Sequence, residues 1–244
     1  MAEKEKKKVF VALLNMGTTS AGLETAIYKW MQQLADVYKF YFCLRTNRPI
    51  SSNRNSIAKE FLETDYDVLC MIDDDNPPSP ERNPFELVRY DKDVIGIPYP
   101  GRDWKGVYWH VYDFKEEDEK GMIYKPIPVE QRKGLQRVGA TATGFIFIKR
   151  KVLEEIKRPF EDSFDEYGIL VNNDDLNFAY KCKKAGFEQW THWDYYCSHY
   201  KKVDLLQMLR LIQMAKREGK GETKFVTVEE VKRKKPVDKH GKIK

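Results

Sequence analysis

The chain has 244 residues, 41% of them hydrophobic, which is enough to bury a core without disulfides or a structural metal. It contains no run of about 18 apolar residues, and this excludes a transmembrane helix. The net charge of +5 divides unevenly, because residues 216–244 carry +6, residues 1–8 carry +2 and the body carries −3. A basic groove for nucleic acid across the fold is therefore not expected.

The first hundred residues predict alternating strands and helices. Short apolar runs indicate buried strands at about 9–14, 38–44, 68–72 and 93–97. Between them we expect helices at about 21–35, 56–62 and 83–90, and a loop over 45–53. Strands and helices that alternate at this spacing are typical of right-handed βαβ units, so the pattern predicts a mostly parallel sheet.

The remaining elements are predicted less evenly. Residues 99–137 are rich in glycine, proline and aromatic residues, which favours loops and an antiparallel ribbon. A strand at 144–148 precedes a short helix at 151–156. A longer helix over 172–185 begins at Asn172 or Asn173 as N-cap and ends before Gly186. We expect one α/β domain over 9–203 and a C-terminal helix over 204–218.

The two ends and the cysteines bear on the setting of the protein. Residues 1–8 and 219–244 are expected to be basic tails, which are either solvated ends or a source of attraction to a polyanion. The first eight residues lack the apolar segment of a secretory signal. The four cysteines form no Cys-x-x-Cys pair, which favours reduced thiols. We therefore expect a cytoplasmic protein.

Three adjacent aspartates follow the buried strand at 68–72. Ligands of open α/β sheets bind at the carboxyl ends of strands, and Asp73 and Asp75 share a side if the chain stays extended. Two such carboxylates suit a hard divalent cation that also holds a diphosphate. The alternative is a polar turn before Pro77.

Two later features also carry candidate chemistry. Asp174 and Asp175 open the predicted helix, where the helix dipole favours acids, so simple capping is the alternative to catalysis. His199 lies among aromatic residues and is either a packed side chain or a nitrogen ligand for a metal. The segment 139–144 precedes a strand and lacks the spacing of a dinucleotide-binding loop.

The order of these parts resembles a nucleotide-sugar glycosyltransferase of the GT-A fold, close to family 2 and to the small members encoded by phages and prokaryotes. The similarity covers about residues 8–200. The matching strings are Asn53–Asn55, Tyr66–Asp75, Asp93–Pro100, Thr143–Arg150, Asn173–Phe178 and Ser198–His199. The resemblance implies a Rossmann-like, mostly parallel sheet flanked by helices. It also implies Mn²⁺ or Mg²⁺ as cofactor and, for a phage enzyme, the host cytoplasm.

Roles for single residues follow from the same resemblance. It implies that Asp175 is the general base of an inverting transferase. Asp174, which stands where the family has Glu, would cap the helix or orient the donor. The implied metal ligands are Asp73, Asp75 and His199. The expected donor-binding residues are Asn15, Arg54, Asp73, Asp74, Arg102 and Gly144, although either arginine is also explained as a solvated side chain.

Aromatic residues of the irregular middle are candidates for the acceptor, because aromatic faces suit sugar rings, although core packing explains them as well. They are Trp104, Tyr108 and Trp109. The expected reaction moves a sugar from a nucleotide-diphosphate sugar to a hydroxyl of a glycan or cell-envelope acceptor. The basic ends motivate hydroxymethylated pyrimidine in phage DNA as another acceptor.

Two other functions stay open. A nucleotidyltransferase also places paired aspartates at a strand end, but it needs a glycine-rich phosphate loop after the first strand, of which residues 15–19 are a poor version. A non-catalytic sugar-binding or nucleic-acid-binding α/β module would leave the acids without a chemical role.

Overall fold

The computed structural model describes residues 5–15, 21–46, 49–103, 106–118 and 121–200, with residues 209, 210 and 213. The chain divides at residue 200 into two units, and every element below belongs to the first. Residues 209, 210 and 213 of the predicted C-terminal helix are helical. The rest of that helix, and the predicted tail over 219–244, lie outside the described residues.

Thirteen strands and four α-helices are found among the described residues. The strands are β1 (Lys7–Asn15), β2 (Tyr38–Thr46), β3 (Val68–Asp73), β4 (Val94–Gly96), β5 (Pro100–Asp103), β6 (Gly106–Trp109), β7 (Tyr112–Asp118), β8 (Gly121–Pro126), β9 (Leu135–Val138), β10 (Phe145–Lys149), β11 (Ser163–Phe164), β12 (Leu170–Asn172) and β13 (Gln189–His192). The α-helices are α1 (Ala21–Gln33), α2 (Ile50–Leu62), α3 (Arg150–Glu155) and α4 (Asp174–Lys184). Two 3₁₀ helices cover Pro84–Tyr90 and Val129–Gln131.

A seven-stranded sheet with the order β2-β1-β3-β10-β4-β13-β9 forms the centre of this unit. Five of its strands run in one direction, while β10 and β9 run in the other. The predicted α/β class with a mostly parallel sheet is confirmed. The antiparallel ribbon predicted in the middle is also confirmed, as the hairpins β5-β6 and β7-β8.

The apolar run of β1 explains why this strand lies inside the sheet. Residues 9–14 are at most 1% exposed, and alternate side chains enter two separate cores. Val11 packs on the α1 side with Ile27, whereas Phe10 packs on the α2 side with Phe61. Burying each such side chain stabilises the fold by about 1.5–3 kcal/mol. The two cores therefore fix β1, and with it the edge where β1 and β3 end.

The predicted loop over 45–53 is partly wrong, because α2 begins at Ile50. Pro49 stands at the N-cap with extended backbone angles, a position where its missing N–H leaves no helix hydrogen bond unmade. The two serines that suggested a loop occupy the first turn, where Ser is well tolerated. None of the helices in the described part of the chain combines the length and apolarity needed to cross a membrane.

Candidate active site

The carboxyl end of β3 is held on both sides. The backbone N–H of Asp73 donates to the carbonyl of Gly144 at 2.7 Å, and that of Asp74 donates to Leu14 at the end of β1 at 3.0 Å. The chain then turns, because the N–H of Asn76 donates to the carbonyl of Asp73 at 3.1 Å. The sequence suggested either a polar turn or an acidic site after β3. The segment from Asp73 to Asn76 is both.

Arg54 is the centre of a buried charge cluster. Its Nη2 donates to Oδ2 of Asp73 at 2.9 Å, while Nη1 donates to Asp174 at 2.7 Å and to Asp175 at 2.8 Å. Its side chain is only 4% exposed, so the alternative of a solvated arginine is wrong. α2 directs this side chain under the sheet edge, where three carboxylates offset the loss of hydration. These four groups together carry a formal charge of −2.

Burial changes the acid–base properties of this cluster. Loss of hydration raises the pKa of Asp73 to about 6, against the opposing effect of Arg54. Burial also raises the pKa of Asp174. Oδ1 of Asp73 is buried with no hydrogen-bond partner among the described residues. A buried acceptor without a partner is unfavourable, so this oxygen is suited to a cation or a hydrogen-bond donor that arrives with a ligand.

His199 approaches Asp75 next to this cluster. Its Nδ1 lies 2.7 Å from the carbonyl oxygen of Pro100, and because a carbonyl oxygen can only accept, Nδ1 carries a proton and Nε2 is the nitrogen that faces Asp75. Nε2 lies 3.4 Å from Oδ2 of Asp75. A proton on Nε2, or a cation between the two atoms, would stabilise this contact. A carbonyl behind the imidazole is the usual partner of a metal-binding histidine.

The residues predicted as metal ligands, which are Asp73, Asp75 and His199, fit a metal ion only in part. Within the described residues, no group of three His, Cys, Asp or Glu side chains is arranged to hold a metal ion. Asp75 and His199 form a pair of oxygen and nitrogen donors that suits Mn²⁺ better than Mg²⁺. Asp73 is already engaged by Arg54 through one oxygen. The residues thus fit a metal that takes most of its ligands from substrate and water.

The two acids of α4 stand at its first two positions, and the sequence reasoning about them needs correction. The N-cap is Asn173, whose side chain accepts from the N–H of Leu176 at 3.1 Å, so Asp174 does not cap the helix. Side chains at successive positions of an α-helix point about 100° apart, so the two carboxylates would diverge on geometry alone. Instead both contact the same nitrogen of Arg54, because the arginine reaches the open end of the helix between them.

A cavity of about 260 Å³ opens beside Asp175. Aromatic and apolar side chains line it, and two asparagines precede the acid. These lining residues are Tyr108, His110, Tyr112, Leu170, Val171, Leu176, Asn172 and Asn173. Tyr108 and Asp175, predicted separately for the acceptor and for proton transfer, therefore meet in one place. The hydroxyl of Thr143 also donates to Oδ1 of Asp175.

The other predicted residues are distributed differently. Trp109 does not line this cavity and packs against Trp193, with ring centroids 6.1 Å apart. Trp104 and the side chain of Arg102 lie outside the described residues. Asn15 ends β1 in a half-buried position, and Asp74 is 8% exposed.

Gly144 was predicted to bind the donor. The structure shows that packing alone requires a glycine at this position. A Cβ at this position would lie 2.7 Å from Cε1 of Tyr99 and 2.8 Å from Nδ2 of Asn76. Only glycine allows this approach of backbone to the aromatic ring. The sequence reasoning missed Thr143 and His110 as neighbours of the acids. The position of Thr143 directly before Gly144 and the strand was the available signal.

Sheet order, the antiparallel β10 between β3 and β4, and the acids after β3 together define a fold of the GT-A type. Among solved structures, A197 from STIV is similar, with 20% identity, a TM-score of 0.50 and 80% of this chain matched to 86% of that one. This likeness shows the fold alone. No protein-family model and no curated protein sequence matches the chain.

Two weaker structural likenesses have TM-scores below 0.5 and support no argument about function. GalNAc-T7 with UDP, GalNAc and Mn²⁺ has 11% identity and a TM-score of 0.47, with 83% of this chain matched to 45% of that one. UDP-glucose pyrophosphorylase complexed with UDP-glucose has 8% identity and a TM-score of 0.40, with 88% of this chain matched to all of the other.

Proposed function

We propose that the chain is a metal-dependent glycosyltransferase that moves a sugar from a nucleotide-diphosphate sugar to an acceptor hydroxyl, with inversion. The observation that carries the proposal is the pair of Asp75 and His199, whose oxygen and nitrogen donors lie 3.4 Å apart beside buried groups with a formal charge of −2. Such a site attracts a divalent cation, and perturbed, clustered acids in a cleft are typical of catalytic centres. The cavity beside Asp175 supports the placement of an acceptor.

Asp75 and His199 would hold the metal, which when bound neutralises the charge that develops on the leaving diphosphate. Arg54 fixes three carboxylates in one arrangement by donating to each of them. Preorganised groups of this kind lose little free energy to rearrangement during the reaction. Oδ1 of Asp73 is buried without a partner in the described residues. It would be stabilised by a cation or by a hydrogen-bond donor of the substrate.

Asp175 acts as the general base. Arg54 and Thr143 both donate to its Oδ1, and this holds the carboxylate in one orientation beside the cavity. As the acceptor oxygen bonds to the anomeric carbon, the bond from that carbon to the phosphate oxygen breaks. The acceptor proton passes to Oδ2 of Asp175, and the nucleoside diphosphate leaves.

The test is a screen of UDP-, GDP- and dTDP-sugars for release of the nucleoside diphosphate with and without Mn²⁺. We expect release by the wild-type chain to need Mn²⁺ and to fall at least 100-fold in Asp75→Asn. Asp165→Asn, which removes an exposed acid of the β11-β12 hairpin, serves as the matched control. Release that is independent of Mn²⁺ and of Asp75 would overturn the proposal.

Two alternatives give different results in the same screen. A nucleotidyltransferase would release pyrophosphate from a nucleoside triphosphate and a sugar 1-phosphate, and its phosphate loop would fall at residues 15–19, of which all but Asn15 lie outside the described residues. A non-catalytic binding module would bind ligands without turnover. The four cysteines are free and buried, which supports the proposed cytoplasmic setting.

A further inference from the structure

The hairpin formed by β11 and β12 is an ordered part of the fold. Ser163 pairs with Asn172, and Phe164 with Leu170. The carboxylate of Asp165 accepts from the N–H groups of Tyr167 at 2.9 Å and Ile169 at 2.8 Å. These bonds satisfy the backbone of the tip locally. The orientation of the side chains on the hairpin is therefore set by hydrogen bonds.

This hairpin carries an apolar surface that no described part of the chain covers. Its exposed side chains are Phe164 at 59%, Tyr167 at 79%, Ile169 at 63%, Leu170 at 53% and Val171 at 38%. We call these five residues the hairpin patch. Single exposed apolar residues are ordinary, but five within eight residues of one hairpin indicate a binding surface.

The hairpin patch continues into the cavity that holds Asp175. Leu170 and Val171 belong to the patch and also line that cavity. Tyr108, His110 and Tyr112 also line it. At about 260 Å³ the cavity is at the small end of ligand sites, which suits one sugar-sized polar group. A molecule whose hydroxyl reaches Asp175 therefore lies next to Leu170 and Val171 of the hairpin patch.

The charges around the hairpin restrict what that molecule is. Residues 161–173 include Glu161, Asp162, Asp165 and Glu166 and contain no lysine or arginine, and of these four acids Glu161 is paired with Arg158 and Lys181. An acidic rim repels the phosphates of DNA and of anionic lipids, which proteins bind through basic side chains. The surface instead favours a neutral apolar group.

We propose that the acceptor is an uncharged amphipathic molecule of the glycolipid type. Its sugar-sized head lies in the cavity with the reacting hydroxyl beside Asp175, and its apolar chain lies on the hairpin patch. The inference rests on the proposed glycosyl transfer and selects among its acceptors, against hydroxymethylated DNA. The acceptor oxygen forms the new glycosidic bond, its proton passes to Asp175, and the nucleoside diphosphate departs.

The experiment compares two neutral glucosides that differ in the apolar chain. Titration calorimetry of the full chain measures n-octyl β-D-glucopyranoside, below its critical micelle concentration, and methyl β-D-glucopyranoside. We expect the octyl compound to bind at least 10-fold more tightly to the wild-type chain. Tyr167→Ser/Ile169→Ser is expected to lose this difference. Tyr167→Phe/Ile169→Val, which keeps the apolar surface, is expected to retain it.

The matched control is Tyr28→Ser/Val37→Ser, because these side chains are 61% and 54% exposed and lie outside the hairpin. We expect it to bind octyl glucoside as the wild-type chain does. Equal binding by the two serine double variants would overturn the inference, as would displacement of octyl glucoside by hydroxymethylated duplex DNA. Mn²⁺-dependent release of nucleoside diphosphate by the wild-type chain, without acceptor, tests the proposed function separately. A failure of the acceptor assignment and a failure of the proposed glycosyltransferase activity would therefore be seen in different assays.

Discussion

The two edges of the central sheet both carry many charges, but they use them differently. At the amino ends of β1 and β3, four lysines meet four aspartates at or near the surface. They are Lys7, Lys8, Lys149 and Lys151 with Asp65, Asp67, Asp91 and Asp93. At the carboxyl ends, Arg54 meets Asp73, Asp174 and Asp175 with almost no exposure of the arginine. One edge is balanced and largely hydrated, whereas the other is buried and has excess negative charge.

The charges of the amino edge are explained by their effect on stability, whereas those of the carboxyl edge point to a function. Exposed ion pairs typically contribute about 0–1 kcal/mol each, so the amino edge needs no explanation beyond solubility and weak stabilisation. Buried charges lose much of their hydration, and a buried cluster with unequal charge is unfavourable unless something else compensates for it. The carboxyl edge is therefore the part of the molecule whose composition calls for a ligand.

The largest expected effect comes from removing the cation of the buried edge. Arg54→Met leaves three carboxylates together, and we expect the free energy of unfolding at neutral pH to fall by about 3–5 kcal/mol. Urea unfolding followed by circular dichroism measures this. Arg45→Met is the control, because Arg45 pairs with Glu60 alone and is 31% exposed. Its expected loss is about 1 kcal/mol or less. Equal losses would remove the distinction between the two kinds of ion pair.

The next effect is on rate rather than on stability. Asp175→Asn removes the proposed base, so glycosyl transfer is expected to slow by about 100-fold to 10,000-fold while the binding of donor with Mn²⁺ is retained. Transfer assays and donor titrations on the same preparations separate the two properties. Asp36→Asn, which removes an exposed acid of the turn between α1 and β2, is the control. Undiminished transfer by Asp175→Asn would place the base elsewhere.

The two edges are expected to respond to pH with opposite signs. Burial raises the pKa of Asp174, so its ionised form weakens folding at neutral pH, and this effect fades as the pH falls towards 3.8. The hydrogen bond from Lys7, and then that from Lys149, lower the pKa of Asp91, whose stabilisation is present above 3.8 and lost below it.

Urea unfolding from about pH 7 downward tests this contrast. Relative to Asp174→Asn, the wild-type chain should gain stability as the pH falls. Relative to Asp91→Asn, it should lose stability in the most acidic part of the range. The same slope for both comparisons would contradict the assignment of buried and exposed edges.

The smallest expected effect is at the amino edge. Lys149→Met removes one of the two lysines that pair with Asp91 and one of the two that pair with Asp93, and we expect a loss of about 1 kcal/mol or less. Because exposed pairs are screened by salt, the difference from the wild-type chain should shrink in concentrated NaCl. Arg54→Met should keep most of its effect there. Thermal unfolding at two salt concentrations measures both.

Local patterns in the sequence accounted for most of the fold. The apolar run of β1 predicts a strand that is buried on both faces, and the structure confirms it. β13 was not predicted, since its four residues are of mixed polarity and become a strand by pairing with β4 and β9. The start of α2 was missed because Pro49 and the serines suit a loop and a helix start equally well.

The candidate site was also predictable only in part. The acids after β3 and at the start of α4 were visible, because each set is contiguous in the chain. The burial of Arg54 was not visible, because its partners lie 19, 120 and 121 residues away. Its setting depends on how α2 and α4 pack onto the sheet, and no local pattern encodes that.

The position of β10 also has a consequence for synthesis on the ribosome. β10 lies between β3 and β4 in the sheet, although it follows both in the chain. One edge of β3 therefore has no neighbour until residue 149 has emerged, and an open strand edge is a site for pairing with other chains. The acids of β3 then wait for those of α4, which are translated still later. At about 5–20 residues per second, several seconds separate the two halves of the binding centre, so the nascent chain cannot bind substrate until its synthesis is well advanced.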